Sequence, residues 1–166
     1  MFRRYLGTSL ALVLLLSGAP AARADDTAQT EPAALSKLQA MVNNLGYNTD
    51  LAGDKQSFAI QWQGDYDYRL HFDLSKDGTL AYAYVNINTY KPADMAKLDL
   101  TKLLETSDIG DFYFSMESGA DGESLYANAI IPLGGLTPEM LRTTLDTIND
   151  RLNSSAQVWD TSLWKK

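Results

Sequence analysis

The side chains best suited to proton-transfer chemistry lie together near the middle of the chain. His71 is the only histidine, and Asp67, Arg69 and Asp73 occupy every second position around it. Period-two spacing puts all four side chains on one face of a β-strand. A histidine beside carboxylates titrates near neutral pH, so this row has the composition of an acid–base site. The same spacing also describes a solvated strand face with cross-strand charge pairs, and we favour that interpretation.

The sequence offers little material for nucleophilic or metal-assisted catalysis. It contains no cysteine and no G-x-S-x-G motif, and a single histidine is a poor basis for a transition-metal site. Residues 73–78 resemble the start of a calcium-binding loop, with Asp73, Ser75 and Asp77 at ligand positions and glycine at the sixth. The twelfth position is Tyr84 instead of a bidentate glutamate, so we interpret the segment as a hairpin turn. We predict no catalytic residues, no metal and no cofactor.

Tyrosine and tryptophan side chains are the candidate partner contacts. Tyr82 and Tyr84 share one face of a predicted strand, although aromatic residues at strand spacing pack in the core more often than they line a groove. Trp159 and Trp164 lie in polar surroundings beyond the last predicted helix. The two indoles either fold back onto the domain or contact a partner, and the sequence leaves both alternatives open. These four residues are our candidates for contact with a partner.

Alternating segments predict an antiparallel sheet of about five strands. Three consecutive runs within residues 58–87 alternate apolar and polar side chains, and Asp-Gly separates the second run from the third. A second hairpin spans residues 112–131. The third run is apolar on both faces, which is typical of a central strand. The turn-rich segment 48–56 is either a short strand or a loop.

Three helical regions accompany the strands. The first begins at Pro32 and carries an apolar stripe at helical spacing. The second begins at Pro92, and Asp99 can cap a separate piece within it. The third begins at Thr137, an N-cap followed by proline, and its stripe ends near Asn153. The sequence therefore predicts an α+β fold of order α-β-β-β-α-β-β-α, with helices mainly on one face of the sheet.

The N-terminal segment has the features of a secretory signal peptide. A basic pair at positions 3 and 4, an apolar stretch at 10–16 and an A-x-A sequence ending at Ala24 predict cleavage after Ala24. The apolar stretch is far shorter than the roughly 20 residues of a spanning helix, so we expect no stable membrane insertion after cleavage. The predicted organisation is a signal peptide at 1–24, a flexible lead-in at 25–31, a single domain at 32–153 and a C-terminal tail at 154–166. This organisation favours a periplasmic or secreted bacterial protein.

Net charge bears on the class of partner. The full sequence has a formal charge of −7. Cleavage after Ala24 would remove three arginines and no acid, which leaves 11 basic and 21 acidic residues and a charge of −10. An acidic surface is repelled by the phosphate backbone, so we exclude nucleic acid as a partner.

Several short runs of sequence, together with the order of the elements, carry a family resemblance. The runs are the aromatic strands at 58–87, LQAMVNNLGY at 38–47, LLE at 103–105, IG at 109–110, FYFS at 112–115 and LTPEMLR at 136–142. Over about residues 33–153 the chain resembles the YbjN and type III secretion chaperone-like superfamily. The resemblance implies an α+β fold, often dimeric, that binds partner polypeptides or acts in regulation, and it supplies no catalytic residue.

These observations favour an exported, non-catalytic module that binds a polypeptide or has a chaperone-like or regulatory role. The expected partners are an exported polypeptide and a second copy of the chain. The alternative is an acid–base hydrolase of the periplasm centred on His71 with Asp67 or Asp73.

Overall fold

The computed structural model describes residues 32–107 and 112–164. The helices are α1 (Ala33–Asn44), α2 (Pro92–Met95), α3 (Leu100–Thr106) and α4 (Pro138–Trp159), followed by a 3₁₀ turn (Thr161–Leu163). The strands are β1 (Thr49–Leu51), β2 (Ser57–Trp62), β3 (Tyr68–Leu74), β4 (Leu80–Tyr90), β5 (Tyr113–Gly119) and β6 (Gly122–Pro132). The predicted signal peptide and lead-in lie outside the described residues.

The strands form one antiparallel sheet in the order β1-β2-β3-β4-β6-β5. Helices α1 and α4 pack against one face of this sheet. The shared core includes Leu38 of α1, Leu145 of α4, and Phe58, Leu70 and Val85 of the strands. Alternate residues of each strand enter this core because successive side chains point to opposite faces. The predicted α+β fold with helices on one face is confirmed, and β4 is central as expected.

The sheet has six strands, where the sequence predicted about five. The additional strand is β1, which pairs with β2 and places Leu51 opposite Phe58. It lies within residues 48–56, the segment for which strand and loop were both open. Three residues are too few to show a period-two pattern, so pairing with the neighbouring strand and not the local sequence makes this segment a strand.

Polar caps determine where two of the helices begin. Thr137 accepts a hydrogen bond on its hydroxyl from the Met140 N–H at 3.3 Å, and proline follows as the first helical residue. The Asp99 carboxylate accepts a bond from the Lys102 N–H at 3.1 Å and starts α3. The predicted break in the second helical region is therefore present. No helix in 32–107 or 112–164 combines the length and apolar character needed to cross a membrane.

Helix α4 continues past Asn153, where the sequence pattern placed the end of the domain, as far as Trp159. Its last turns pack in a second buried cluster that includes Tyr90 and Leu103. The predicted tail at 154–166 thus begins inside a helix that belongs to the core. Burial of Trp159 stabilises helical residues of low intrinsic propensity, which periodicity alone does not reveal.

The sheet opens between its two central strands. β3 and β4 pair only over residues 71–74 of β3. Further along, β4 follows β6 and has a bulge between Asn86 and Asn88, whereas β3 stays paired with β2 as far as Tyr68. A bulge bends its strand and increases the local twist, so it accompanies the divergence of β3 from β4.

The segment that resembles a calcium-binding loop forms the turn between β3 and β4. The Asp77 carboxylate accepts hydrogen bonds from the Ser75 hydroxyl at 2.6 Å and from the Thr79 N–H and hydroxyl at 3.1 and 2.9 Å. These bonds lower the pKa of Asp77 to about 2. Gly78 has a φ of +67°, a left-handed conformation that favours glycine. The carboxylate is thus occupied by donors of its own turn, as the hairpin interpretation predicts.

Candidate binding surface

We call the face of the sheet opposite α1 and α4 the open face. The strand register places His71, Tyr84, Asn128 and Tyr113 side by side across β3, β4, β6 and β5. Flanking rows add Arg69, Asp73, Tyr82, Asn86, Tyr126, Ile130 and Ser115. These side chains are half-buried or exposed, and Tyr82 is 38% exposed. The open face therefore presents a mixed aromatic and polar surface.

Aromatic rings connect the strands of the open face. The His71 imidazole stacks on the Tyr84 ring with centroids 5.3 Å apart and planes 16° apart. Tyr84 meets Tyr126 edge to face at 6.4 Å. The Tyr84 hydroxyl donates to the Asp73 carboxylate at 3.2 Å. Packing and hydrogen bonding together orient the Tyr84 ring, as expected of an aromatic group with a polar end.

Asn128 orders the neighbouring part of the open face. Its side-chain amide donates to the Ser115 hydroxyl at 2.9 Å and to the Tyr113 carbonyl at 3.3 Å. These bonds tie β6 to β5 through side chains as well as through the backbone ladder. The side chains of Asn128 and Ser115, which lie among the tyrosines of the open face, are therefore held in place.

Two neighbouring groups of the open face, His71 and Tyr84, favour their neutral forms. Burial, with help from the Asp73 carboxylate, raises the pKa of Tyr84 to about 12. Burial and the Arg69 guanidinium lower the pKa of His71, and Asp73 opposes them. At neutral pH the imidazole and the phenol are thus uncharged, and the phenol remains a hydrogen-bond donor.

The predicted acid–base row is only partly assembled. Arg69, His71 and Asp73 lie on the open face, and Asp67 precedes β3 in the connecting loop. Arg69 forms an ion pair with Asp50 of β1. Over the described parts of the chain, no hydrogen bond joins His71 to a carboxylate, although a general base is normally oriented by such a partner. The geometry is that of a neutral histidine packed on a tyrosine.

The structure separates the four candidate contact residues. Tyr82 and Tyr84 lie on the open face. Trp159 is 5% exposed, and Trp164 is half-buried and stacks on Tyr90 with centroids 6.0 Å apart. Both indole N–H groups donate to carbonyl groups of α4. Of the two alternatives that the sequence left open for the tryptophans, the structure contains the one in which they fold back onto the domain.

The four candidate contacts did not include several residues of the open face, among them Tyr113, Tyr126 and Asn128. The signal that distinguishes them is strand parity. In β6 the apolar residues facing the helices are odd-numbered, so the even-numbered Tyr126 and Asn128 face the other way. Parity assigns a face of the sheet, but it does not say which face the helices leave uncovered.

Comparison with known proteins gives the fold and leaves the function open. No family model matches the sequence, and no curated protein is similar enough to count as a relative. The solved structure of YbjN from E. coli is similar, with a TM-score of 0.55 at 16% identity over 73% of this chain and 89% of that one. The type III secretion chaperone SycH from Yersinia pestis, solved with a fragment of YscM2, has a TM-score of 0.46 at 14% identity, covering 73% and 98%. The chain thus has a YbjN-like fold, as the sequence resemblance predicted.

Proposed function

We propose that this protein is an exported, non-catalytic module that binds a partner polypeptide through the open face of its sheet. The observation that supports this function best is the group of partly exposed tyrosines at positions 82, 84, 113 and 126, which lies opposite the helical layer. Tyrosine combines a large apolar ring with a hydroxyl group and is enriched at protein contact sites.

The polar groups among the tyrosines favour a polypeptide over a purely apolar ligand. Asp73 supplies a carboxylate, Asn86 and Asn128 supply amides, and the tyrosine hydroxyls can donate or accept. A peptide main chain requires donors and acceptors in alternation along its length, so it matches a surface of this composition. The −10 charge of the processed chain favours partners that are neutral or basic.

The surroundings of His71 support binding over acid–base catalysis. Its imidazole contributes ring surface to Tyr84. Burial, together with the neighbouring Arg69 guanidinium, disfavours the imidazolium that a general base must form. Replacement of His71 by alanine would therefore alter the contact surface without removing a catalytic base.

Export predicts a defined N-terminus for the functional protein. If residues 1–24 direct secretion, mass spectrometry of the protein from a periplasmic or secreted fraction should give a chain starting at Asp25. Replacing Ala24 with a large residue such as leucine should leave unprocessed precursor, because the cleavage site requires small side chains. Export would be contradicted if the protein were found in the cytosol with an intact N-terminus and were absent from the exported fraction.

A photo-crosslinking experiment tests polypeptide binding at the open face. p-Benzoylphenylalanine replaces Tyr82, which is 38% exposed, in the full-length chain expressed in its own host. Irradiation should give a discrete adduct in which the crosslinked molecule is another polypeptide, as shown by its digestion with protease. A contact residue places the probe within reach of the partner.

The matched control carries the same probe at Met140, which is 51% exposed on α4. Met140 lies on the helical layer, away from the open face, so its adduct should be absent or at least tenfold weaker. Equal labelling from both positions, or labelling from Met140 alone, would show that the open face is not the specific contact site. If the only adduct joined two copies of this chain, the open face would be the interface of a homodimer and not the site of a different polypeptide.

A further inference from the structure

The divergence of β3 from β4 leaves backbone groups without a partner strand across the gap. Residues 68–70 of β3 pair with β2 alone, and residues 85–86 of β4 pair with β6 alone. In an antiparallel ladder, successive residues direct their N–H and C=O groups alternately to one neighbouring strand and the other. At least one residue on each side therefore directs both backbone groups toward the gap.

A cleft of about 360 Å³ occupies this gap. Its largely apolar floor is formed by Tyr66, Tyr68, Ile87 and two residues of α4, Leu152 and Trp159. Its rim is polar and consists of Asp67, Arg69, His71 and Asn86. His71, one of the lining residues, stacks on Tyr84, so the cleft adjoins the open face. A concave site with an apolar interior and a few polar groups at its mouth is typical of a binding pocket.

We infer that this cleft is a specificity pocket for one aromatic side chain of the bound polypeptide, in a segment where basic residues flank the aromatic one. The inference rests on the proposed function, since it names the part of the partner that the open face selects.

The size of the cleft favours a single side chain. Pockets for small molecules and cofactors range from about 300 to 1,000 Å³, and this cleft lies at the lower end of that range. It can admit a phenyl or phenol ring together with the adjoining main chain. The backbone groups of β3 and β4 at the gap then face the main chain of the partner.

The composition of the floor favours an aromatic ring. Tyr66 and Trp159 are tilted by 60° with ring centroids 4.7 Å apart. The Tyr66 hydroxyl donates to the Asp160 carboxylate at 3.1 Å, and the Trp159 indole N–H donates to the Leu152 carbonyl at 3.1 Å. Because the polar atoms of both rings already have partners, their remaining surface can take an apolar group. A third ring can add edge-to-face contacts, which aliphatic side chains lack.

The charge of the rim favours basic neighbours in the partner. The Arg69 guanidinium is compensated by Asp50. Within residues 32–107 and 112–164, Asp67 forms no ion pair, so the rim carries an uncompensated negative charge. A free aromatic acid would bring a carboxylate to this rim, whereas a lysine or arginine beside the aromatic residue would bring the complementary charge.

Peptide titration monitored by NMR tests the pocket on the processed full chain. The probe is the blocked peptide Ac-Gly-Lys-Phe-Lys-Gly-NH₂, compared with the same peptide carrying alanine in place of phenylalanine. The phenylalanine peptide should shift the amide signals of Arg69, Asn86 and Ile87 and bind about tenfold more tightly than the alanine peptide. Equal affinities, or shifts confined to other parts of the surface, would overturn the inference. Equal binding of free L-phenylalanine would assign the cleft to an amino acid instead of a polypeptide.

A blocking variant and a matched control separate occupancy of the cleft from general effects. Asn86→Trp places an indole at the rim from an exposed position and should abolish the shifts. Thr89→Trp makes the same kind of change at an exposed position further along β4, outside the cleft, and should leave peptide binding unchanged. Unimpaired binding by the Asn86→Trp protein would exclude the cleft as the site.

Failure of the pocket and failure of the proposed function give different results. The Tyr82 crosslinker is combined with Asn86→Trp in one chain. Loss of the adduct, with retention in the Thr89→Trp chain, supports the pocket. An adduct of undiminished yield overturns the pocket and leaves polypeptide binding intact. Absence of any adduct even without a second substitution overturns both proposals.

Discussion

Replacing Trp159 with alanine should lower the free energy of unfolding by about 3–5 kcal/mol, the range measured when large aromatic side chains are removed from protein cores. The indole is 5% exposed, its ring lies against Tyr66 at 4.7 Å, and its N–H donates to the Leu152 carbonyl and the Ser155 hydroxyl, each at 3.1 Å. The substitution therefore removes packing and leaves a buried hydroxyl and a carbonyl with one fewer donor. Thermal unfolding followed by circular dichroism should show a melting temperature lower by about 10 °C or more.

Leu163→Ala is the matched control for Trp159→Ala. Leu163 lies in the 3₁₀ turn that follows α4 and is 40% exposed, so its removal should change the free energy of unfolding by less than about 1 kcal/mol. If the two variants melted at the same temperature, Trp159 would not belong to the folded core. That result would restore the alternative of an exposed tryptophan available for a partner.

The end of α4 was predicted near Asn153 but lies at Trp159, and the difference shows what periodicity alone does not predict. The apolar stripe of α4 ends at Leu152, and the following asparagine and serines have low helix propensity. Ser155 is nevertheless buried, donates to the Arg151 carbonyl at 2.6 Å and accepts from the Trp159 indole. Tertiary contacts thus extend the helix beyond the point at which its own periodicity ends.

Local signals predicted the elements that short-range chemistry determines. Thr137 followed by proline marks the start of α4, and Asp77-Gly78 marks the turn between β3 and β4. Each of these depends on hydrogen bonds within a few residues, so the sequence contains the whole interaction. For β1, strand and loop both stayed open, because three residues show no period-two pattern and only pairing with β2 makes the segment a strand.

The candidate site was predictable only in part for the same reason. Period-two spacing correctly placed Tyr82 and Tyr84 on the face opposite Ala81 and Ala83. The cleft could not be inferred, because it depends on how far β3 and β4 remain paired. A bulge that bends one strand away from another leaves no clear sequence pattern at Asn86.

Replacing Gly122 with alanine should lower the free energy of unfolding by about 3 kcal/mol or more, from backbone strain and a steric clash acting together. Gly122 starts β6 with a φ of +136°, which residues with a side chain rarely adopt. An added Cβ would lie 2.2 Å from the backbone carbonyl oxygen of Tyr90. That oxygen belongs to the end of β4, which pairs with β6, so it cannot move without disturbing the ladder.

Gly119→Ala, at the other end of the same hairpin turn, provides the control for this prediction. Its φ is not in the left-handed region, and the nearest atom to an added Cβ is the Gly122 carbonyl oxygen at 3.7 Å, an ordinary van der Waals distance. Urea unfolding should show a change of less than about 1 kcal/mol for Gly119→Ala, because the substitution also restricts the unfolded chain. The dependence on urea concentration should stay the same in both variants, since each exposes the same surface on unfolding. If the two variants lost similar amounts of unfolding free energy, the close approach of Gly122 to Tyr90 would not constrain the hairpin. β4 and β6 could then separate at this end at little cost.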